Sequence, residues 1–136
     1  MDDKLNKITR KHGKHTAYNL NYYIVFCPKY RKSVLVGDIA IHTEEIIRHI
    51  ADKVNVKIEN LTVAPDHVRV FLSAPPRLSP QSIVKRLKGA TANILRQKYP
   101  QLLRLPTLWS SSYYVCTVGS VSDSVVSLYI ENQRGK

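Results

Sequence analysis

Apolar and polar residues alternate through "AYNLNYYIVFC", residues 17–27. Tyr18, Leu20, Tyr22, Ile24 and Phe26 fall on one face, and Asn19, Asn21, Tyr23, Val25 and Cys27 on the other. A period of two is the signature of a strand, and Pro28 stops it. "PKYRKSVL" is a basic connection. The period then lengthens. Ile39, Thr43, Ile46, Ile47, Ile50 and Val54 recur three or four apart, which predicts an amphipathic helix with Asp38 as its N-cap. Residues 56–64, with Val56, Ile58, Leu61 and Val63, read as a second strand, and the turn Ala64-Pro65-Asp66 leads into a third over 67–73. "APPRLSP" breaks it. Ser79 caps a second helix with Pro80 at its first position, and the predicted buried stripe is Ile83, Leu87, Ala90 and Ile94. Lys85, Arg86, Lys88 and Arg96 lie largely off that stripe. Tyr99-Pro100 ends the helix. "SYYVCTV" reads as a fourth strand, Gly119 begins a break, and Ser122 caps a last helix running toward Gln133.

The order strand, helix, strand, strand, helix, strand, helix predicts an α+β fold. Its first six elements spell the ferredoxin-like βαββαβ sandwich, an antiparallel sheet with helices on one face. The extra C-terminal helix is then positioned to bring residues to the open face. Residues 1–16, polar and basic without periodicity, read as an arm, and 17–136 as a single domain.

Charge changes the picture. Among 136 residues, Lys+Arg of 21 against Asp+Glu of 10 gives +11. Such a balance points to a polyanion, most simply nucleic acid; a basic, solvated surface is the plainer alternative. Two cysteines, Cys27 and Cys116, fit no metal or redox spacing and read as core thiols in a reducing cytosol. No apolar run approaches a membrane span, no signal-peptide pattern opens the chain, and the expected location is cytoplasmic.

Two stretches carry candidate chemistry. In "PDHVRVFL", residues 65–72, the polar positions of the third strand are His67 and Arg69, which share one face. In "VVSLYIENQ", residues 125–133, Tyr129 and Gln133 are four apart and share a helical face. A tyrosine can attack a phosphodiester and retain one side of the broken strand as a phosphotyrosine. Imidazole and amide oxygen are both competent metal ligands. Each residue alone is more often an ordinary hydrogen-bonded or packing residue.

Taken together, "YNLNYYIVFCPKYRKSVL", "VAPDHVRVFLSAPP", "SIVKRLKGATANIL", "LWSSSYYVCTVGSVS" and "YIENQ" resemble the single-tyrosine HUH transposases of the insertion-sequence 200/605 family over residues 17–134. In that family the third strand reads Pro-Asp-His-hydrophobic-His. The resemblance implies that His67 is the first of two metal-binding histidines, Tyr129 the nucleophile and Gln133 the third ligand of Mg²⁺ or Mn²⁺. Gly119 lies in the link that lets the family's tyrosine helix move. Arg69 departs from the pattern, because a guanidinium cannot ligate a metal. Either Arg69 records the loss of a ligand, or it meets the scissile phosphate itself, or it is a solvated residue without a role. Loss of normal metal binding is the favoured reading, since the fixed charge also repels a cation.

The resemblance further implies cleavage and rejoining of single-stranded DNA at mobile-element ends bearing hairpins, through a 5′-phosphotyrosine. It also implies a homodimer with composite active sites. Lys29, Arg31 and Lys32 after the first strand, and Lys85, Arg86 and Lys88 on the second helix, are the candidates for tracking phosphates. Tyr22, Tyr23 and Tyr30 are candidates for stacking on unpaired bases, with core packing the rival role for Tyr22. The competing class is a non-catalytic RRM-like nucleic-acid-binding module, which shares the βαββαβ order but leaves "YIENQ" unexplained.

Overall fold

The computed structural model describes residues 20–117 and 123–136. Tyr18, Asn19, Gly119, Ser122 and the arm 1–16 lie outside them. The described strands are β1 (Leu20–Phe26), β2 (Lys57–Ala64), β3 (His67–Ala74) and β4 (Tyr114–Thr117). The helices are α1 (Gly37–Lys53), α2 (Pro80–Lys98) and α3 (Asp123–Asn132). The strands form one sheet in the order β2-β3-β1-β4, and every neighbouring pair is antiparallel. This is the ferredoxin-like arrangement expected from the element order.

Register decides what each face presents. Val68, Val70, Leu72 and Ala74 are buried, as are Ile24 and Phe26 of β1. They form one core with Ile39, Ile46 and Ile47 of α1 and with Ile83, Val84, Leu87 and Leu95 of α2. The other face therefore carries His67, Arg69, Phe71 and Ser73, because side chains alternate along a strand. Ala64 pairs with His67 across the two-residue turn Pro65-Asp66, which holds the histidine at the start of β3.

Three helix details differ from the sequence reading. The first helix starts at Gly37, whose φ of 57° suits glycine, so Val36 is the N-cap and Asp38 sits in the first turn. There its carboxylate still favours the helix N-terminus. The buried stripe of α2 runs Ile83, Val84, Leu87, Thr91 and Leu95, while Ile94 is exposed. Thr91 enters the core because its hydroxyl donates to the Leu87 carbonyl and accepts from Trp109 Nε1 at 2.8 Å. That choice turns Leu95, four residues on, inward and Ile94 outward. The first helix likewise buries Ala51 fully, while Ile50 and Val54 pack at the edge of the core. Ser79 does cap α2, accepting from Ser82 N–H at 3.1 Å, with Pro80 next.

Candidate active site

The aim of His67 follows from its neighbour. Asp66 Oδ1 lies 2.8 Å from His67 Nδ1. A carboxylate only accepts, so Nδ1 carries the proton and the Nε2 lone pair is directed away from Asp66. Arg31 Nε donates to the other oxygen, Asp66 Oδ2, at 2.7 Å. Burial alone would raise the Asp66 carboxyl, but the hydrogen bonds and charges of His67 and Arg31 outweigh it and hold it below the usual carboxylate range.

Arg69 shares the open face with His67 and lies opposite Val25 of β1 and Thr62 of β2. Its Nε donates to the Tyr23 hydroxyl at 2.9 Å and its Nη2 makes a shorter bond to the same oxygen. The guanidinium also lies 5.7 Å from the Tyr23 ring centroid. Tyr23, a stacking candidate from sequence, is thus engaged by the arginine.

The C-terminal helix rests on the same side of the sheet. Tyr114 points to the open face, since Val115 beside it packs into the core. Its ring centroid is 5.7 Å from that of Tyr129. The Tyr129 hydroxyl is 3.1 Å from Ser112 Oγ, and Ser112 in turn donates to Gln133 Oε1 at 2.8 Å. The serine has one proton, spent on the amide carbonyl, so the phenol donates to the serine. Burial pushes the Tyr129 phenol above its ordinary value. Gln133 is only 4% exposed and accepts a second hydroxyl, from Ser110 Oγ at 3.1 Å. Tyr129 and Gln133 therefore converge on one loop, as their spacing implies. That loop is fastened from α2, where Lys88 Nζ donates to the carbonyls of Ser110 at 2.6 Å and Ser112 at 3.3 Å. Desolvation lowers the Lys88 ammonium pKa.

Tested as a metal site, these donors do not fit as arranged. Imidazole Nε2 of His67 is suitable. Both lone pairs of Gln133 Oε1 are engaged by serine hydroxyls. Arg69 adds a fixed cation on the histidine's own strand face. Among the described residues, no group of three or more His, Cys, Asp and Glu side chains is placed to hold an ion.

The basic candidates divide. Lys32, Lys85 and Arg86 are exposed, and Lys29 is half-buried with its ammonium 5.2 Å from the Tyr30 ring centroid. Lys85 and Arg86 stand on α2, the helix whose Lys88 fastens the Ser110–Ser112 loop. Arg31 and Lys88 turn inward, Arg31 to Asp66 and Glu131 and Lys88 to backbone carbonyls. The roles of Ser110, Ser112 and Arg31 as internal partners were not legible beforehand. The run Ser110-Ser111-Ser112 before β4 was their only signal. Cys27 is buried as expected, whereas Cys116 is half-exposed on β4. Among the described residues no helix is long and apolar enough to cross a membrane.

Comparison with known proteins places the chain in a family. Residues 16–133 match the IS200-like transposases. The ISDra2 transposase TnpA of Deinococcus radiodurans is 39% identical over 129 residues, 93% of this chain and 92% of the relative. The transposase for insertion sequence element IS200 of Salmonella typhimurium is 33% identical over 122 residues, 88% of this chain and 80% of the relative. Among solved structures, a transposase from Deinococcus radiodurans superposes with a TM-score of 0.81 at 36% identity, covering 88% of this chain and 94% of that one. A REP-associated tyrosine transposase bound to a REP hairpin shares the fold at a TM-score of 0.57 and 11% identity, covering 85% of this chain and 65% of that one. With its ferredoxin-like sheet, its histidine strand and its tyrosine helix on one face, the chain belongs to the IS200-like transposase family.

Proposed function

We propose that this transposase cleaves and rejoins single-stranded DNA at the hairpin-bearing ends of a mobile element, with Tyr129 as nucleophile. The observation that carries the reading is the seating of Tyr129 and Gln133 on the Ser110–Ser112 loop, while the end of their helix meets the Arg31–Asp66–His67 chain. In the reaction the Tyr129 oxygen bonds to phosphorus as the phosphorus–3′-oxygen bond breaks. The phenol gives up its proton and the departing 3′ oxygen gains one. The product is a 5′-phosphotyrosine and a free 3′-OH, and rejoining reverses the step without ATP because the phosphodiester energy is retained.

In the arrangement described, the phenol is neutral and half-buried. It must leave Ser112 to reach a phosphate. Exchange of α3 between two copies would make the same contacts across a homodimer and give composite active sites. Lys32, Lys85 and Arg86 supply exposed positive charge for the DNA backbone. In place of a second histidine, Arg69 weakens the family's divalent-metal site and favours the DNA phosphate. The chain as it stands therefore binds hairpin DNA but cleaves it poorly.

Covalent trapping on a labelled single-stranded hairpin oligonucleotide tests this. Arg69→His should raise adduct yield at a given Mg²⁺ or Mn²⁺ concentration by at least roughly 10-fold, the scale on which even indirect ligand losses act. Tyr129→Phe on either background should abolish the adduct and spare DNA binding. An adduct of equal yield from the phenylalanine variant would refute Tyr129. Binding without any adduct, in both the Arg69 and His forms, would instead favour the non-catalytic nucleic-acid-binding module.

A further inference from the structure

Arg31 was expected to track phosphate, yet its side chain is only 15% exposed and its partners lie within the protein. Nε holds Asp66 Oδ2 at 2.7 Å. Nη1 reaches Glu131 Oε2 at 3.2 Å and the Ile130 carbonyl at 3.4 Å. Ile130 and Glu131 belong to the last turn of α3, where a cation is favoured, and the Ile130 carbonyl also accepts from Gln133 N–H at 3.1 Å. Asp66 spends its second oxygen on His67. One planar guanidinium thus stands between the tyrosine helix and the carboxylate that aims the histidine.

The local backbone is bent to put it there. Tyr30 and Arg31 both adopt left-handed φ, at 61° and 54°. Two successive non-glycine residues in that region persist only where the surroundings hold them. Here Lys29 N–H donates to the Leu108 carbonyl at 2.9 Å and Arg31 N–H to the Pro28 carbonyl at 2.8 Å.

We infer that Arg31 is a positioning residue that couples the seating of α3 to the orientation of the His67 imidazole. With the helix docked, Glu131 and the Ile130 carbonyl fix one edge of the guanidinium, and the other edge fixes Asp66. When the helix leaves, that edge loses its partners, Asp66 loosens, and the Nδ1–H form of His67 loses its anchor. A lysine cannot substitute, because one ammonium does not span both edges of the fork. The consequence for cleavage rests on the Tyr129 reading; the coupling itself does not.

The test uses the full chain, and its readouts are structural. Nitrogen-15 chemical shifts of the His67 ring report which nitrogen carries the proton, and amide hydrogen exchange reports the docking of residues 127–133. Glu131→Gln alters an exposed residue and leaves Asp66 and His67 intact. It should speed exchange in α3 and also shift the His67 tautomer ratio, each by about two- to fivefold, the range of an exposed ion pair. Arg31→Gln should do both more strongly. Asp66→Asn should disturb His67 while α3 keeps more of its protection than in Arg31→Gln. Overturning results are a His67 signature unchanged in Glu131→Gln, or α3 protection unchanged in Arg31→Gln. Tyr129→Phe carried through the same measurements keeps the two questions apart. If the coupling is seen but Tyr129→Phe still forms adducts, only the nucleophile assignment falls.

Discussion

Thr91→Val isolates the contact that holds the Ser110–Ser112 loop in place. Thr91 is fully buried on α2, and its hydroxyl accepts from Trp109 Nε1 at 2.8 Å. The indole is 5% exposed and meets Phe26 edge-on, with centroids 4.7 Å apart and planes at 81°. Trp109 directly precedes Ser110, whose N–H donates to the Cys27 carbonyl at 2.8 Å. Valine has nearly the shape of threonine but no acceptor. A buried indole N–H without a partner costs about 1–3 kcal/mol. Burying a methyl in place of the hydroxyl returns roughly 0.8 kcal/mol. Desolvation wins, and the net loss is about 0.2–2 kcal/mol, which lowers Tm by roughly 1–7 °C in a domain of this size.

Thermal unfolding measures the loss, and the chain's one tryptophan reports the site directly through its emission. Trp109→Phe supplies the control, because it removes the N–H that valine would strand. On that background Thr91→Val should cost no more than about 0.5 kcal/mol. If the valine variant costs the same in both backgrounds, or its melting temperature matches the parent's, the hydrogen bond is not what secures the loop.

Burial and the nearby Asp66 push the Cys27 thiol up to about 12, against partial opposition from Arg31 and Lys88. At pH near the ordinary thiol value of 9.0, an alkylating reagent should therefore modify Cys116 well before Cys27, and equal rates would contradict that burial. The sign for stability follows: the contribution of the protonated Cys27 is fully present below the ordinary value of 9.0 and is lost as pH rises toward about 12. The proposed homodimer should appear in sedimentation at micromolar concentration, and a monomer alone under those conditions would count against composite sites.

The fold was legible because its signals are local. Alternation along 67–73 and the Ser79-Pro80 start of α2 each need only a few neighbouring residues. The stripe of α2 was less so. Ala90 and Thr91, like Ile94 and Leu95, offer two consistent helical faces, and the choice falls to an indole eighteen positions away in sequence. Arg31 shows the same limit more sharply. Next to Tyr30 and Lys32 it reads as one of a basic group, yet its partners are 35 and about 100 residues distant, and only the fold brings them together. Tyr129 and Gln133 were found because helical spacing of four is itself a local rule. The serines that receive them had no such rule.

Arg69 shows how far the site can change while the fold stays the same. Side chains at 67, 69, 71 and 73 share the open face, whereas the core reads 68, 70, 72 and 74. Changing residue 69 leaves Val68 and Val70 packed as before. Two of the guanidinium's bonds go to the hydroxyl of Tyr23, itself a half-buried residue. Arg69→His should therefore move stability by less than about 1 kcal/mol. That separation makes the cleavage comparison interpretable: at matched melting temperatures, a gain in adduct reports the chemistry of the side chain at 69 and not a firmer fold. A histidine form that cleaves no better than the arginine form would show that the charge on this strand is not what limits the reaction, and the explanation would have to move to the seating of α3.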